Sequence, residues 1–366
     1  MLGAFDDDEL DRQLEEEAAQ RAARQAAGHG CPKVPPLPGP EVLAGGRFEP
    51  DGEDAEAGWV DLRGTPIGIR FRVILIGPAD APLLVYVPGT LTDFRKGADR
   101  RPLQALARRF RVLSLDLRNC GRSRPCTWER AGGRGGFSHA GSYADDVVAV
   151  ASAVFGIDSK FHLVGFSSGA NIALWAAHRH PDRVLRMANV AGGFFANREE
   201  EFMGDDLEDW DRVLGAEDIV WFRAMTNFEP SLEERSRRLL GLVNANFGED
   251  WQAKNPSATE NLVQVLAAEE RALEETEGYS REALIMGACH AEVANFICGS
   301  PPAQGLAALG GRTLVVGGRH DGMHRPHRFE TLHRKMPGSR LEWFSDGHAV
   351  LPVASDAIAR HLLADP

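Results

Sequence analysis

Short apolar runs rich in β-branched residues alternate with stretches of helical periodicity along most of this chain. Gly58–Leu62 and Ile67–Ile76 read as two strands of a hairpin joined through Arg63-Gly64-Thr65. Leu83–Val87 predicts the next strand, followed by a helix around Leu103–Arg109 and a strand at Val112. A helix over Ala144–Val154 leads into the apolar run Phe161–Val164. A helix-prone run, Ala170–Arg179, and a strand at Val184–Val190 come next, and Thr313–Gly318 and Leu341–Phe344 close the series. Strands alternating with helices predict an α/β fold, a mostly parallel, doubly wound sheet with helices on both faces. Ligands then bind at the carboxyl ends of the strands.

Two regions break the pattern. Residues 194–303 are helical in character, with helices expected at Leu207–Val213, Asp218–Met225, Leu232–Asn244, Thr259–Glu275 and Ser280–Phe296. Aromatics are frequent there, and the acidic run Glu199-Glu200-Glu201 reads as a solvated face. Residues 1–55 divide into an acidic, then Ala/Arg/Gln-rich arm and a Pro/Gly-rich linker or extended wrap. The expected organisation is therefore 1–55 arm and linker, 56–193 with 304–366 as one core, and 194–303 as an insertion.

Candidate chemistry concentrates where the Phe161 strand ends. Gly165-Phe166-Ser167-Ser168-Gly169 places a serine in a G-x-S-x-G turn between strand and helix. Glycines two positions before and after Ser167 leave room for a sharp, strained turn. The turn lifts the Ser167 hydroxyl above the sheet and aims the Ser168 backbone N–H at the same point. A serine needs a base and a group to orient that base. The C-terminal third offers Asp321, just after the strand ending at Gly317-Gly318, and Asp346-Gly347-His348, just after the strand ending at Phe344.

Strand, G-x-S-x-G, helix, then Asp, then His is the order of the α/β-hydrolase family, and the chain resembles its serine-nucleophile branch. Gly318-Arg319-His320-Asp321 and Gly347-His348 look like the family's acid and histidine segments. Leu83 to Thr90 resembles its oxyanion strand and loop, with Pro88-Gly89 where His-Gly is usual. Asp116-Leu117-Arg118-Asn119-Cys120-Gly121-Arg122-Ser123 is similar to D-x-R-G-x-G-x-S, with Asn119 in place of a glycine. Tyr143-Ala144-Asp145-Asp146-Val147 resembles the start of the helix before the nucleophile strand. The resemblance implies the α/β-hydrolase fold with an inserted helical lid at 194–303. It implies Ser167 as nucleophile, His348 as base, Asp321 as orienting acid, and the backbone N–H groups of Thr90 and Ser168 as the oxyanion hole. It also implies a small-molecule acyl substrate, cleavage through an acyl-serine, and no cofactor or metal. The same triad suits C–C bond hydrolysis, acyl transfer or cofactor-free haloperoxidase-type chemistry, and a non-catalytic binding protein shares the fold.

Rivals exist for several positions. Asp346 is too close in sequence to His348 to reach its Nδ1 well, and Glu199 and Glu200 are weaker choices for the acid. The His320, Asp321, His324, His327 spacing hints at a metal site, but Arg and Pro break the segment, so His324 and His327 read as solvated. His162, His178 and His180 read as packing or surface groups.

A net charge of −12 argues against nucleic acid as partner. Five irregularly spaced cysteines, Cys31, Cys120, Cys126, Cys289 and Cys298, form no disulfide framework, although Cys120 and Cys126 lie close in sequence. No basic-then-apolar leader and no run of membrane-spanning length is present, so a cytoplasmic protein is expected.

Overall fold

The computed structural model describes residues 46–52, 56–65, 67–89, 92, 94, 97–118, 120–123, 139–196, 253–254, 256–276, 295 and 298–364. Its nine described strands are β1 (Arg47–Pro50), β2 (Ala57–Asp61), β3 (Arg70–Ile76), β4 (Leu83–Val87), β5 (Arg111–Leu115), β6 (Phe161–Phe166), β7 (Val184–Val190), β8 (Thr313–Gly318) and β9 (Arg340–Phe344). They form one sheet in the order β1-β2-β3-β5-β4-β6-β7-β8-β9. The first three strands run antiparallel to their neighbours, and the other six are mutually parallel.

The described helices are α1 (Gly97–Ala107), α2 (Ala140–Phe155), α3 (Ser168–Arg179), α4 (Pro256–Thr276), α5 (Ala303–Leu309), α6 (Pro326–Lys335) and α7 (Leu351–Leu362). Because successive strand residues face opposite sides of a pleat, each central strand feeds two cores. Val85, Leu113, Leu163 and Val315 join α2, α3 and α6 on one face. Leu84, Tyr86, Val112, Val164, Leu314 and Val316 join α1 and α7 on the other. Burial on both faces explains why these strands read as continuous apolar runs rather than alternating ones.

The helix after β4 lies on one face and the helix after β6 on the other, so the carboxyl ends of these adjacent strands border the crevice where the winding reverses.

Several boundaries differ from expectation for local reasons. Residues 47–50, in the stretch read as linker, form an edge strand against β2, with Phe48 packed on the core. β3 starts at Arg70 rather than Ile67, because Gly68 takes φ +69 and its N–H closes the turn onto the Leu62 carbonyl. α2 starts at Ala140 rather than Ala144: His139 Nδ1 accepts the Gly141 N–H, a cap outside the usual Ser, Thr, Asp and Asn. The helix expected over Thr259–Glu275 is α4. Of the other helices expected within 194–303 only Asn295 is described, and it is helical; the arm, Cys31, Cys126 and Cys289, and Glu199 and Glu200 lie outside the described residues.

Candidate active site

β6 delivers Ser167 and α3 departs from it. Ser167 has φ 56 and ψ −131, a left-handed conformation costly for a non-glycine residue. Its backbone is held there from both sides: its N–H donates to the Val190 carbonyl at 2.9 Å, and its carbonyl accepts the Ala170 N–H at 2.9 Å. A Cβ on Gly165 would sit 2.5 Å from the Gly169 carbonyl oxygen. One on Gly169 would sit 2.1 Å from the Pro88 carbonyl oxygen. The turn can therefore close only with glycine at both places, and it closes directly against the loop after β4.

His348 and Asp321 arrive from the loops after β9 and β8. His348 Nε2 lies 2.9 Å from Ser167 Oγ, and His348 Nδ1 lies 2.9 Å from Asp321 Oδ2. All three are buried, and the Phe166 ring flanks His348 at 5.2 Å between centroids. The other carboxylate oxygen of Asp321 accepts the N–H groups of Met323 and His324, both at 2.8 Å. Burial alone would raise the Asp321 carboxyl. The adjacent His348 and the donated hydrogen bonds outweigh it and hold the carboxyl below its usual range. A carboxylate so fixed assigns the proton of His348 to Nδ1 and leaves Nε2 to accept from the serine. Asp346, the rival acid, instead accepts the Gly347 N–H and shapes its own turn.

The sequence profile of the family described as alpha/beta hydrolase fold matches residues 82–353, well over half of the chain. The chain belongs to the alpha/beta hydrolase fold family. Among solved structures it is similar to an enol-lactonase from Burkholderia xenovorans LB400, at TM-score 0.57 and 18% identity, over 81% of this chain and 98% of that one. It is also similar to a thermophilic esterase from Thermogutta terrifontis, at TM-score 0.55 and 20% identity, over 80% and 93%. A carboxylesterase from Bacillus subtilis aligns at TM-score 0.53 and 17% identity, over 85% and 92%. No curated protein sequence matches the chain.

In this member of the alpha/beta hydrolase fold family, buried polar groups tie the site loops to the sheet. Asp116, at the end of β5, accepts the Phe94 N–H at 3.2 Å and the Arg122 N–H at 2.8 Å, joining the segments after β4 and β5. Gly121 packs so tightly on that carboxylate that a Cβ would lie 2.2 Å from Oδ2. Arg118 forks onto Asp146 of α2 with two hydrogen bonds of 2.6 Å, and Arg179 and His180 converge on Asp145. Asn295 bonds Asn171 of α3 and the Ser168 carbonyl, while Asn171 and Trp175 share the Gly299 carbonyl.

Of the residues expected at the site, Ser167, Asp321 and His348 are brought together, and Ser168 is the first residue of α3. Thr90 lies outside the described residues. His324 corrects its expectation: it is buried, not solvated, while His320 and His327 are exposed. The cause is tertiary. Its ring is held between Phe195 and His348, contacts that no local pattern announces. Among the described residues, no group of three or more His, Cys, Asp or Glu could hold a metal ion. His180 pairs with Asp145, and His162 and His178 pack against Phe110 and Trp175. Sequence reasoning also passed over the bracing roles of Asp116 and Asn295. The likeness to D-x-R-G-x-G-x-S marked Asp116 without giving it a role, and nothing signalled Asn295.

Proposed function

We propose that this chain is a serine hydrolase that cleaves a carboxylic ester, lactone or thioester through an acyl-serine intermediate. The observation that carries the reading is the continuous hydrogen-bonded line from Ser167 Oγ through His348 to Asp321. In this reading His348 removes the Ser167 proton as the hydroxyl attacks the carbonyl carbon. Asp321 keeps the imidazole in the required tautomer and stabilises its charge. Negative charge on the carbonyl oxygen is received by the backbone N–H groups of Ser168, at the amino end of α3, and Thr90, each worth about 3 kcal/mol in the transition state. The leaving group departs with the proton from His348, and water, activated by the same ring, releases the acyl group. Residues 194–303 serve as a lid over the site, the chain ahead of β1 as an arm and linker, and the remainder, β1 included, as the catalytic core.

The esterase, lactonase and carboxylesterase among the similar structures support an acyl–oxygen bond as target. No described helix is long and apolar enough to cross a membrane. The test is a fluorophosphonate probe with an ester and lactone panel, run with and without an added acceptor nucleophile. Labelling of Ser167 and ester turnover, both lost in Ser167→Ala, are expected. No labelling favours a binding protein, and product only with the acceptor favours acyl transfer.

A further inference from the structure

Two imidazoles stand side by side in this site, and the reaction proposed above uses one. The His324 ring lies 5.2 Å from the His348 ring, tilted by only 31°. His324 is 6% exposed. Its backbone N–H bonds Asp321, so one residue touches both the acid and the base of the triad.

The surroundings separate them. His348 presents Nδ1 to a carboxylate, which only accepts, while His324 presents Nδ1 to an Arg328 nitrogen at 3.2 Å, which only donates. His324 Nδ1 is therefore an acceptor, and its single proton sits on Nε2. The charged or titratable groups facing the ring from the described elements are His348, Asp321 and Arg328, and Phe195 closes the remaining side at 5.6 Å. Burial, then His348 and Arg328, push His324 down to about 3 against the opposing pull of Asp321.

We propose that His324 is a positioning residue for His348: its ring, 5.2 Å away and tilted by 31°, packs against the His348 imidazole and holds it toward Ser167. The π face supports the imidazolium as it forms, and the packed ring limits rotation of His348 away from the serine. This inference rests on the serine-hydrolase reading.

The test is the pH dependence of fluorophosphonate labelling at Ser167 in the full chain carrying His324→Phe, His324→Leu or His324→Gln. Labelling quickens as His348 gives up its proton, so the acid limb reports that ring. Leu and Gln remove the flat face and are expected to move the limb to lower pH by about half a unit or more. Phe keeps the face and is expected to hold the limb within about a quarter of a unit of the unsubstituted chain. Using two non-aromatic substitutes protects the test from poor folding of either one. A limb unmoved in all three variants, or moved equally by Phe and Leu, overturns the proposal. A slower plateau with no movement of the limb marks His324 as packing alone and also overturns it. Absence of labelling in the unsubstituted chain removes the serine-hydrolase reading itself, and this inference with it.

Discussion

Asp321 has both of its carboxylate oxygens engaged: one by His348, the other by two backbone N–H groups of its own loop. Such a carboxylate cannot turn, and it anchors the Nδ1 edge of the imidazole. Asp321→Asn keeps the shape but offers an amide that can pair with the wrong tautomer of His348. The expected result is a fall in kcat of about 10⁴-fold with KM nearly unchanged, measured on the best ester of the panel. The contacts among Ser167, Asp321 and His348 were legible in the sequence because each residue follows a strand, and parallel strands bring their carboxyl ends to one rim. The place of His324 was not legible. A histidine in an Arg- and Pro-broken loop looks solvated, and only packing from Phe195 and His348 buries it.

At the scale of elements, the glycines of the turn do more than allow a positive φ. Gly169 lets α3 start against the Val87–Pro88 backbone, so the Ser167 turn and the loop after β4 are one packed unit. Gly169→Ala sets a methyl against backbone that cannot yield. A loss of about 1–3 kcal/mol in denaturant titration is expected, with activity falling further than stability. The Arg118–Asp146 pair is a second lock, joining the end of β5 to α2. Asp146→Ala takes the carboxylate away from the part-buried Arg118 guanidinium, with an expected cost of about 3 kcal/mol by the same titration. Element type was legible wherever apolar runs or helical periodicity were long. β1 was missed because four residues ending in proline carry too little pattern, and α2 began early because its cap is a histidine.

For the molecule as a whole, the doubly wound sheet was readable because the order of strands and helices restricts the topology. Between β7 and β8 the helix at Pro256–Thr276 was readable too, although helical periodicity shows which residues are apolar and not what they face. Acid stability is also a property of the whole. His162, on β6 far from the turn, is pushed down to about 4 by burial and by the positive charges of Arg186 and His361. A base lowered on folding binds fewer protons in the native state than in the unfolded chain. Its destabilising effect therefore grows as pH falls from the unfolded value near 6.5 to about 4, and is constant below that. Asp321, lowered on folding, adds a loss only as pH falls below its ordinary value of 3.8. His162→Leu is expected to lessen the decline in stability between pH 6.5 and 4, the part due to His324 remaining, and to leave the loss below pH 4 in place. Equal slopes for the two proteins in that window would contradict the assignment.

The most direct test is the mass of the peptide carrying Ser167 after brief reaction with a nitrophenyl ester and an acid quench. Added mass equal to the acyl group, present in the unsubstituted chain and absent in Ser167→Ala, is the result expected. Steady ester turnover with no acyl group on that peptide, continuing undiminished in Ser167→Ala, would contradict the account.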